Sequence, residues 1–321
     1  MQNPVRKTGI GLYGTNGHQI TGHLVDHPAA ELVAVAEFGD SVLPDGVGDV
    51  LRYDDLDALL ADERVELVSL CSPLRSEQAR HAIACMKAGK HVYAEKPCAM
   101  TESDLDAIMA TAEETGMQFH EMAGTVVSQP YMAMREAVAS GVIGEVVQVL
   151  AQKSYPWWNG RPSDENIDGG LGRQVGVYVA RFVEHIAGQR IASMQMEETR
   201  LGHADPEKGC RMAVGIQMTL ENGGIATGIS NYLNPLGKHM WGYEIVRIFG
   251  TKGVVESNAD GAKARLIPVG GDPVDLDVTP PSQNYFDLFV DALVSARTMP
   301  LTLEDELDPT RWVNRAKCII E

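Results

Sequence analysis

Short apolar runs alternate with helix-like spacing through the first third of the chain. The runs that predict strands lie at 10–13, 32–36, 67–71, 91–94 and, more weakly, 118–120. Apolar residues recur every three or four positions at 76–88 and 103–115, and Gly116 follows as a predicted C-cap. A shorter helix is predicted over 20–26. Strands that alternate with helices predict a parallel sheet covered by helices on both faces.

The pattern changes after about residue 124. A helix over 132–139 and a strand over 146–151 precede long β-like runs at 212–220, 224–232, 243–249 and 253–257. Asn222-Gly223 between two of these runs is typical of a tight hairpin turn. The chain is therefore predicted to form two domains. Residues 1–123 form an α/β domain with a parallel sheet, and residues 124–321 form an α+β domain with a large open, mostly antiparallel sheet.

Charge and cysteine content exclude several classes of function. Lys and Arg number 27 against 44 Asp and Glu, which gives a net charge of −17 and makes nucleic acid and membrane surfaces poor partners. The polar start and the glycine-interrupted run behind it resemble neither a secretory signal nor a spanning segment, so a cytoplasmic location is expected. Five scattered cysteines without a Cys-x-x-Cys pair predict neither disulfides nor a metal site.

A glycine-containing turn after the first strand is the first candidate site. A literal Gly-x-Gly-x-x-Gly at 9–14 has no strand before it, so the useful turn is placed at 14–19 instead. Backbone N–H groups of such a turn, at the start of a helix, can bind a diphosphate. The candidate cofactor-binding residues of this turn are Gly14, Thr15, Asn16, Gly17, His18 and Gln19. The motif is degenerate, and a plain strand-to-helix turn is the alternative interpretation.

Three further residues extend this candidate nucleotide site. Glu37 ends the second apolar run, and 37 − 14 = 23 residues is close to the spacing of the acid that binds the adenosine ribose. A carboxylate there repels a 2′-phosphate, which predicts NAD rather than NADP; a solvated glutamate is the alternative. Ser72 and Pro73 follow the strand at 67–71 and are predicted at the carboxyl edge of the sheet, where such folds bind ligands.

The segment Ala94-Glu95-Lys96-Pro97, preceded by Ala88-Gly-Lys-His-Val92, resembles the Glu-Lys-Pro signature of the Gfo/Idh/MocA family of nicotinamide-dependent sugar and cyclitol oxidoreductases. Gly141-Val-Ile-Gly144 and Ile248-Phe-Gly-Thr-Lys-Gly253 are also similar to the family, so the resemblance spans almost the whole chain. It implies an N-terminal Rossmann domain that binds a dinucleotide through Glu95 and Lys96 among others. It also implies a C-terminal substrate-binding and oligomerisation domain and a homodimer or homotetramer.

Lys96 is the leading catalytic candidate, because an ammonium beside a nicotinamide can stabilise the alkoxide that develops on a substrate oxygen. The resemblance implies an acid/base pair later in the chain, and Gln174 and Tyr178 stand where the family has Asp and His. On one regular helix, Gln174, Tyr178 and His185 share a stripe. Tyr178 is predicted to relay the substrate proton, with Lys96 lowering its pKa, and Gln174 to bind a neighbouring hydroxyl. Simple packing of Tyr178 is the alternative.

The loop at 155–162 supplies the remaining substrate candidates. Trp157, Trp158 and Arg161 suit a sugar ring, and an oligomer contact is the alternative; Gln174 and His185 complete the predicted substrate set. The leading hypothesis is an NAD-dependent dehydrogenase or reductase acting on a secondary hydroxyl or ketone of a sugar, cyclitol or related polyol. The alternatives are a redox-neutral lyase or glycosidase-like enzyme with tightly held NAD, and a nucleotide-binding protein that has lost catalysis.

Overall fold

The computed structural model describes residues 6–237, 241–257, 262–295 and 297–320. The strands, in chain order, are β1 (Thr8–Tyr13), β2 (Ala30–Ala36), β3 (Leu51–Tyr53), β4 (Leu67–Leu70), β5 (His91–Ala94), β6 (Phe119–Glu121), β7 (Val146–Ser154), β8 (Ile191–Thr199), β9 (Ala213–Leu220), β10 (Ile225–Asn231), β11 (Tyr243–Gly250), β12 (Gly253–Ser257), β13 (Ala264–Pro268) and β14 (Val274–Asp275). The α-helices are α1 (Leu56–Leu60), α2 (Gln78–Lys87), α3 (Glu102–Thr115), α4 (Tyr131–Ala139), α5 (Glu165–Asp168), α6 (Gly170–Gln174), α7 (Gly176–Arg181), α8 (Tyr285–Ser295) and α9 (Leu303–Ile320).

The chain forms two compact units. The first unit contains the described residues of Met1–Ala123, Asn166–Asp168 and Tyr285–Glu304. The second unit contains those of Gly124–Glu165, Gly169–Asn284 and Asp305–Glu321. Two segments that the sequence analysis assigned to the second domain, 166–168 and 285–304, therefore pack in the first unit.

Helix α8 joins the first unit through aromatic side chains. The ring centroid of Phe286 lies 5.6 Å from that of Tyr93, and the ring of Phe289 lies 4.6 Å from that of His120. These rings bury apolar area against the ends of β5 and β6, which explains why the helix returns to a sheet so distant in sequence.

The first unit contains a six-stranded sheet in the order β3-β2-β1-β4-β5-β6, and every pairing is parallel. The predicted Rossmann-type sheet is therefore confirmed. Strand β3 was not predicted, because it is short and exposed and carries no apolar run. Gly9 and Gly11 lie inside β1, where an added Cβ on Gly9 would stand 1.9 Å from the carbonyl oxygen of Arg64. These two glycines therefore serve strand packing and not the ligand turn.

The helix predicted over 20–26 is wrong. The structure has only a 3₁₀ turn at Thr21–Leu24, followed by Asp26 at φ +53°. Ile20, Thr21 and Val25 are β-branched, Gly22 is flexible, and Pro28 follows, so the segment has little tendency to extend as an α-helix. Helix α3 matches its prediction, with Thr101 accepting an N-cap hydrogen bond and Gly116 at φ +68° as its C-cap.

The second unit contains an eight-stranded sheet in the order β14-β13-β12-β11-β7-β10-β9-β8. All its pairings are antiparallel except that of β7 with β10, which confirms the predicted large and mostly antiparallel sheet. The turn at Asn222-Gly223 joins β9 and β10 as predicted, with Gly223 at φ +85°. In the part of the chain that the structure describes, no helix has the length and apolar character needed to cross a bilayer.

Candidate active site

The glycine turn of the first unit lies at the carboxyl ends of β1 and β4. Gly14 has φ +70°, and an added Cβ would stand 2.1 Å from the carbonyl oxygen of Cys71. Gly17 has φ +129°, and its Cβ would stand 2.6 Å from Cγ of Glu95. The Asn16 side chain donates to the carbonyl oxygen of Pro73 at 3.1 Å. The structure therefore brings the predicted turn, the Ser72-Pro73 segment and Glu95 together.

The other side chains of the turn bond to the protein itself. Gln19 donates to the carbonyl oxygen of Gly14 at 3.0 Å and accepts from the Ser69 hydroxyl at 2.6 Å. The His18 ring lies 2.9 Å from the Glu95 carboxylate, whereas Thr15 is exposed. These contacts give His18 and Gln19 a role in shaping the turn.

Glu95 is a buried carboxylate beneath the turn. One oxygen accepts the backbone N–H of His18 at 2.6 Å, and the other accepts the N–H of Lys96 at 3.0 Å. Burial raises its pKa, but the hydrogen bond from His18 and the charges of Lys96, His18 and Arg75 outweigh burial and lower the pKa to about 2. Glu95 is therefore ionised, and its charge holds the turn against the strand that carries Lys96.

A polar network behind Glu95 was missed by the sequence analysis. Arg75, only 1% exposed, donates to the carbonyl oxygen of Asn16 at 2.6 Å and to the Gln78 side chain at 2.8 Å. Gln78 donates to the carbonyl oxygens of Glu95 and Pro97. A signal existed: Arg75 and Gln78 extend the apolar stripe of α2 by one turn, where polar residues are unexpected unless they are bonded.

Lys96 and Ser72 occupy neighbouring strand ends. Lys96 is 4% exposed and is followed by a cis peptide bond to Pro97. Ser72 is buried, with its hydroxyl 2.9 Å from the His81 ring and its N–H donated to Gln78 at 3.2 Å. Because β4 and β5 are parallel neighbours, their carboxyl ends place these residues along one edge of the sheet.

The residues of the first unit fit a dinucleotide. Glu37 lies exposed just past β2 at φ +54°, so its carboxylate is accessible to a ribose. The turn at 14–19 contains two glycines at positive φ, Gly14 and Gly17, which let the backbone turn tightly at the carboxyl end of β1. The α-helix that the sequence analysis placed behind this turn is missing, so the helix-dipole part of the predicted diphosphate binding does not apply.

A second polar cluster lies in the second unit, around Tyr178 on α7. The Tyr232 hydroxyl donates to the Gln174 side chain at 3.1 Å. The Lys153 ammonium lies 4.7 Å from the ring centroid of Tyr178 and 4.9 Å from that of Tyr155. Lys153 and these tyrosine partners were not found from the sequence, because the contacts join strand and helix residues far apart in the chain.

Arg161 joins this cluster through stacking. Its guanidinium lies 3.6 Å from the ring centroid of Tyr232 and 4.0 Å from that of Trp158, and its Nε donates to the carbonyl oxygen of Pro156 at 3.2 Å. Trp157, by contrast, is partly buried and packs edge-on against His203 at 5.3 Å. The structure thus brings Arg161 and Trp158 toward the Gln174–Tyr232 pair and directs Trp157 into packing.

The prediction that Tyr178 and His185 share one face of a regular helix is wrong. Helix α6 ends at Gln174, α7 begins at Gly176, and Phe182–Ile186 forms a π-turn, so the spacing of 100° per residue does not hold. His185 is buried, with its Nε2 2.8 Å from the carbonyl oxygen of Asp305, and burial lowers its pKa to about 3. The stripe therefore no longer supports His185 as a substrate contact.

One group in the described part of the chain has metal-ligand chemistry: His23, His27 and Asp287, whose ligand atoms lie within 4.8 Å of one another. The His27 Nδ1 accepts the N–H of Ala30 at 2.9 Å, so its proton sits on Nε2, which donates to Asp287 at 3.1 Å. A neutral histidine in this tautomer cannot ligate through Nε2. The group therefore fits a hydrogen-bonded contact between the 3₁₀ turn and α8 better than a three-ligand metal site.

Two family models match this chain. Residues 9–122 match an oxidoreductase family with an NAD-binding Rossmann fold, and residues 131–256 match the GFO/IDH/MocA C-terminal domain. The chain belongs to the Gfo/Idh/MocA oxidoreductase family. The resemblance carried by Glu95, Lys96 and Pro97 is thereby confirmed, and the turn at 14–19 lies within an NAD-binding Rossmann fold.

Known members of the family act in different ways. D-glucoside 3-dehydrogenase of Escherichia coli (strain K12) is 30% identical over 169 residues, 49% of this chain and 47% of that protein. The 2,7-anhydro-N-acetylneuraminate hydratase of the same organism is 27% identical over 218 residues, 64% of this chain and 55% of that protein. The chain thus matches about half the length of these curated relatives. A 3-ketoreductase from Actinomadura kijaniata, solved with NADP and TDP-benzene, has the same fold (TM-score 0.77, 19% identity, 98% of each chain covered).

Proposed function

We propose that this Gfo/Idh/MocA protein is an NAD(H)-dependent oxidoreductase acting on a secondary hydroxyl or ketone of a sugar, cyclitol or related polyol. The observation that carries the proposal is Lys96, a buried lysine at the carboxyl end of β5 within the family's Glu-Lys-Pro signature. The relationship to D-glucoside 3-dehydrogenase supports the substrate class.

The proposed chemistry assigns one task to each residue. A bound nicotinamide supplies the acceptor or donor of hydride. Lys96 donates a hydrogen bond to the substrate oxygen and stabilises the negative charge that develops there. The Tyr178 oxygen exchanges the proton of the reacting hydroxyl, and Gln174, with Trp158 and Arg161, binds the remainder of the substrate.

Lys96→Ala tests the catalytic assignment. Turnover in a panel of sugars and polyols, followed at the NADH absorbance, should fall by about 10²-fold to 10³-fold, the usual effect of removing a group that stabilises an oxyanion. Lys87→Ala, an exposed lysine at the end of α2, is the matched control and should keep full activity. Equal turnover in the two variants would refute the role of Lys96.

Glu37 supports a preference for NAD over NADP. Its exposed carboxylate past β2 repels a 2′-phosphate and accepts hydrogen bonds from ribose hydroxyls. Fluorescence titration should show tighter binding of NADH than of NADPH, and Glu37→Ala should reduce the preference by about tenfold, the equivalent of about 1.4 kcal/mol. Tighter binding of NADPH by the unmodified protein would overturn this assignment.

A redox-neutral reaction is the second candidate, and the hydratase relative favours it. In such a cycle a bound NAD would take hydride from the substrate and return it within one turnover, so NADH would not accumulate. Mass spectrometry of the purified protein for retained NAD, together with product analysis without added cofactor, separates the two. Product formation without net NADH would select the redox-neutral reaction.

We also propose that the protein forms homodimers or homotetramers through the open face of the eight-stranded sheet. Val147, Leu150, Ile225 and Ile229 expose apolar side chains on β7 and β10. Light scattering coupled to size-exclusion chromatography should give two or four times the mass of one chain. Ile229→Asp should shift the protein toward the monomer; a monomeric unmodified protein would refute this proposal.

A further inference from the structure

Lys153 is a buried cation beneath the tyrosine cluster of the second unit. It lies on β7 directly opposite Glu244 of β11, and the two form an ion pair. The Lys153 side chain is only 8% exposed. The Tyr131 hydroxyl also bonds to Glu244. A buried ammonium is destabilising without a counter-charge, and Glu244 supplies that counter-charge next to the aromatic rings.

The cation faces two tyrosines whose hydroxyls are bonded to each other. Its Nζ lies 4.7 Å from the Tyr178 ring and 4.9 Å from the Tyr155 ring. Burial raises the pKa of Tyr155, and the neighbouring Tyr178 and its hydrogen bond raise it further. Tyr155 therefore retains its proton and is the donor of the hydrogen bond between the two side chains, with the Tyr178 oxygen as the acceptor.

Other groups surround the same pair and act in different directions: the charge of Arg161 lowers the pKa of Tyr155, whereas Tyr232 raises it. The Arg181 guanidinium on the following turn lies 5.7 Å from the Tyr178 ring, and that of Arg161 lies 5.8 Å from the Tyr155 ring. Tyr232 also interacts with Tyr155. Glu244 on β11 is the counter-charge of the Lys153 ammonium, and that ammonium also lies over the two tyrosine rings.

We propose that Lys153 and Tyr155 are positioning residues that make Tyr178 the proton-exchanging hydroxyl of the active site. The inference rests on the proposed function for its catalytic meaning. In the oxidation direction, the proton of the substrate hydroxyl passes to the Tyr178 phenolate oxygen, which becomes neutral. Lys153 and Tyr155 stabilise the phenolate before that transfer and keep their own protons. This assigns to Lys153, in the second unit, the electrostatic task that sequence reasoning gave to Lys96.

A titration without substrate tests the inference directly. The protein is labelled with tyrosine carrying ¹³C at Cζ, and Tyr178→Phe identifies the Tyr178 signal. Lys153→Met should raise the pH midpoint of that signal by about one unit or more, and Lys153→Arg should restore most of the shift. Lys252→Met, an exposed control on the turn between β11 and β12, should leave it unchanged. An unchanged midpoint in Lys153→Met would overturn the inference.

Two further measurements keep the result interpretable. Lys153→Met could fail to fold because Glu244 is left unpaired. In that case Tyr155→Phe, which removes only a hydroxyl, should also raise the pH midpoint of the Tyr178 signal. An unchanged midpoint in Tyr155→Phe would overturn the inference. In turnover assays of Lys153→Met, the pH profile of kcat should also move to higher pH. The NMR titration needs no turnover, so the two proposals can fail separately. A shifted Tyr178 midpoint in a protein that turns over no substrate would refute the proposed function alone. Turnover with an unshifted Tyr178 midpoint would refute this inference alone.

Discussion

Glu95 and Glu184 are both buried carboxyl groups, one in each unit, yet their pKa values move in opposite directions. Each accepts a backbone N–H, from His18 at 2.6 Å and from Ile191 at 3.1 Å respectively. Glu95 also faces Lys96 and Arg75, and its pKa falls to about 2. Burial and the Asp308 carboxylate raise the pKa of Glu184 to about 9. Burial by itself therefore does not determine the charge of a carboxyl group; the neighbouring donors and charges do.

The difference follows the task of each region. Around Glu95, the charged side chains bond to backbone groups of the glycine turn and of the Glu-Lys-Pro segment, so the ionised carboxylate connects these two segments. Around Glu184, the neutral carboxyl lies in the π-turn against α9, where the Trp312 side chain donates to Asp308 at 3.2 Å and Arg190 lies 3.6 Å from Asp308. The first arrangement stabilises the glycine turn against the Glu-Lys-Pro segment, and the second holds α9 against the π-turn.

The largest effect is expected from removing the cation near Glu95. Arg75→Met should lower the free energy of unfolding by about 3–5 kcal/mol, because it removes the hydrogen bonds that a buried cation donates to Asn16 and Gln78 and one of the charges that offset the Glu95 carboxylate. Urea denaturation measures this. Arg80→Met, whose side chain is 69% exposed, is the control and should change stability by less than about 1 kcal/mol. Similar losses in both variants would show that the buried network is not what stabilises this region.

A smaller loss of stability is expected when a methyl group is placed against the Glu95 side chain. Gly17→Ala places a methyl group against the Glu95 side chain at a positive φ, and should destabilise the protein by about 2–3 kcal/mol. Gly116→Ala also has positive φ but meets no atom within 4 Å, so it should cost only about 1 kcal/mol. Thermal unfolding compares the two, and equal losses would mean that backbone strain alone, without the Glu95 contact, explains the effect.

The pH dependence of stability tests the raised pKa of Glu184. The folded protein holds this proton up to about pH 9, whereas the unfolded chain releases it near 4.5. Between these values the folded state binds more protons, so the free energy of unfolding falls as pH rises, by at most about 1.4 kcal/mol per pH unit. Glu184→Gln should remove this slope between pH 6 and 8, whereas Glu197→Gln, at an exposed position of β8, should retain it. An unchanged slope in Glu184→Gln would contradict the assignment.

Glu95 should show the opposite dependence. Its stabilising contribution is present above the unfolded pKa near 4.5 and is lost as pH falls toward about 2. The two buried glutamates therefore limit the pH range of stability from opposite ends.

Much of the first unit could be predicted because its signals are local. The parallel strands follow from short runs of buried apolar residues, and the end of α3 follows from Gly116. The turn at 14–19 and the strand-end position of Lys96 follow from short motifs. The helix at 20–26 was mispredicted because its apolar residues are at helical spacing although their backbone propensity is poor. The π-turn at Phe182–Ile186 carries no signal in sequence spacing, so the stripe through His185 failed.

The sequence alone determined the two sheet architectures, the family and the strand-end position of Lys96, because apolar periodicity and compact motifs act between near neighbours in the chain. Only the tertiary structure decided which buried groups are charged. Arg75 reaches Glu95, Lys153 meets Tyr178 and Glu244, and Asp308 meets Glu184 only after distant segments pack. The ionisation of a buried group depends on those neighbours in space, and no spacing along the chain specifies them.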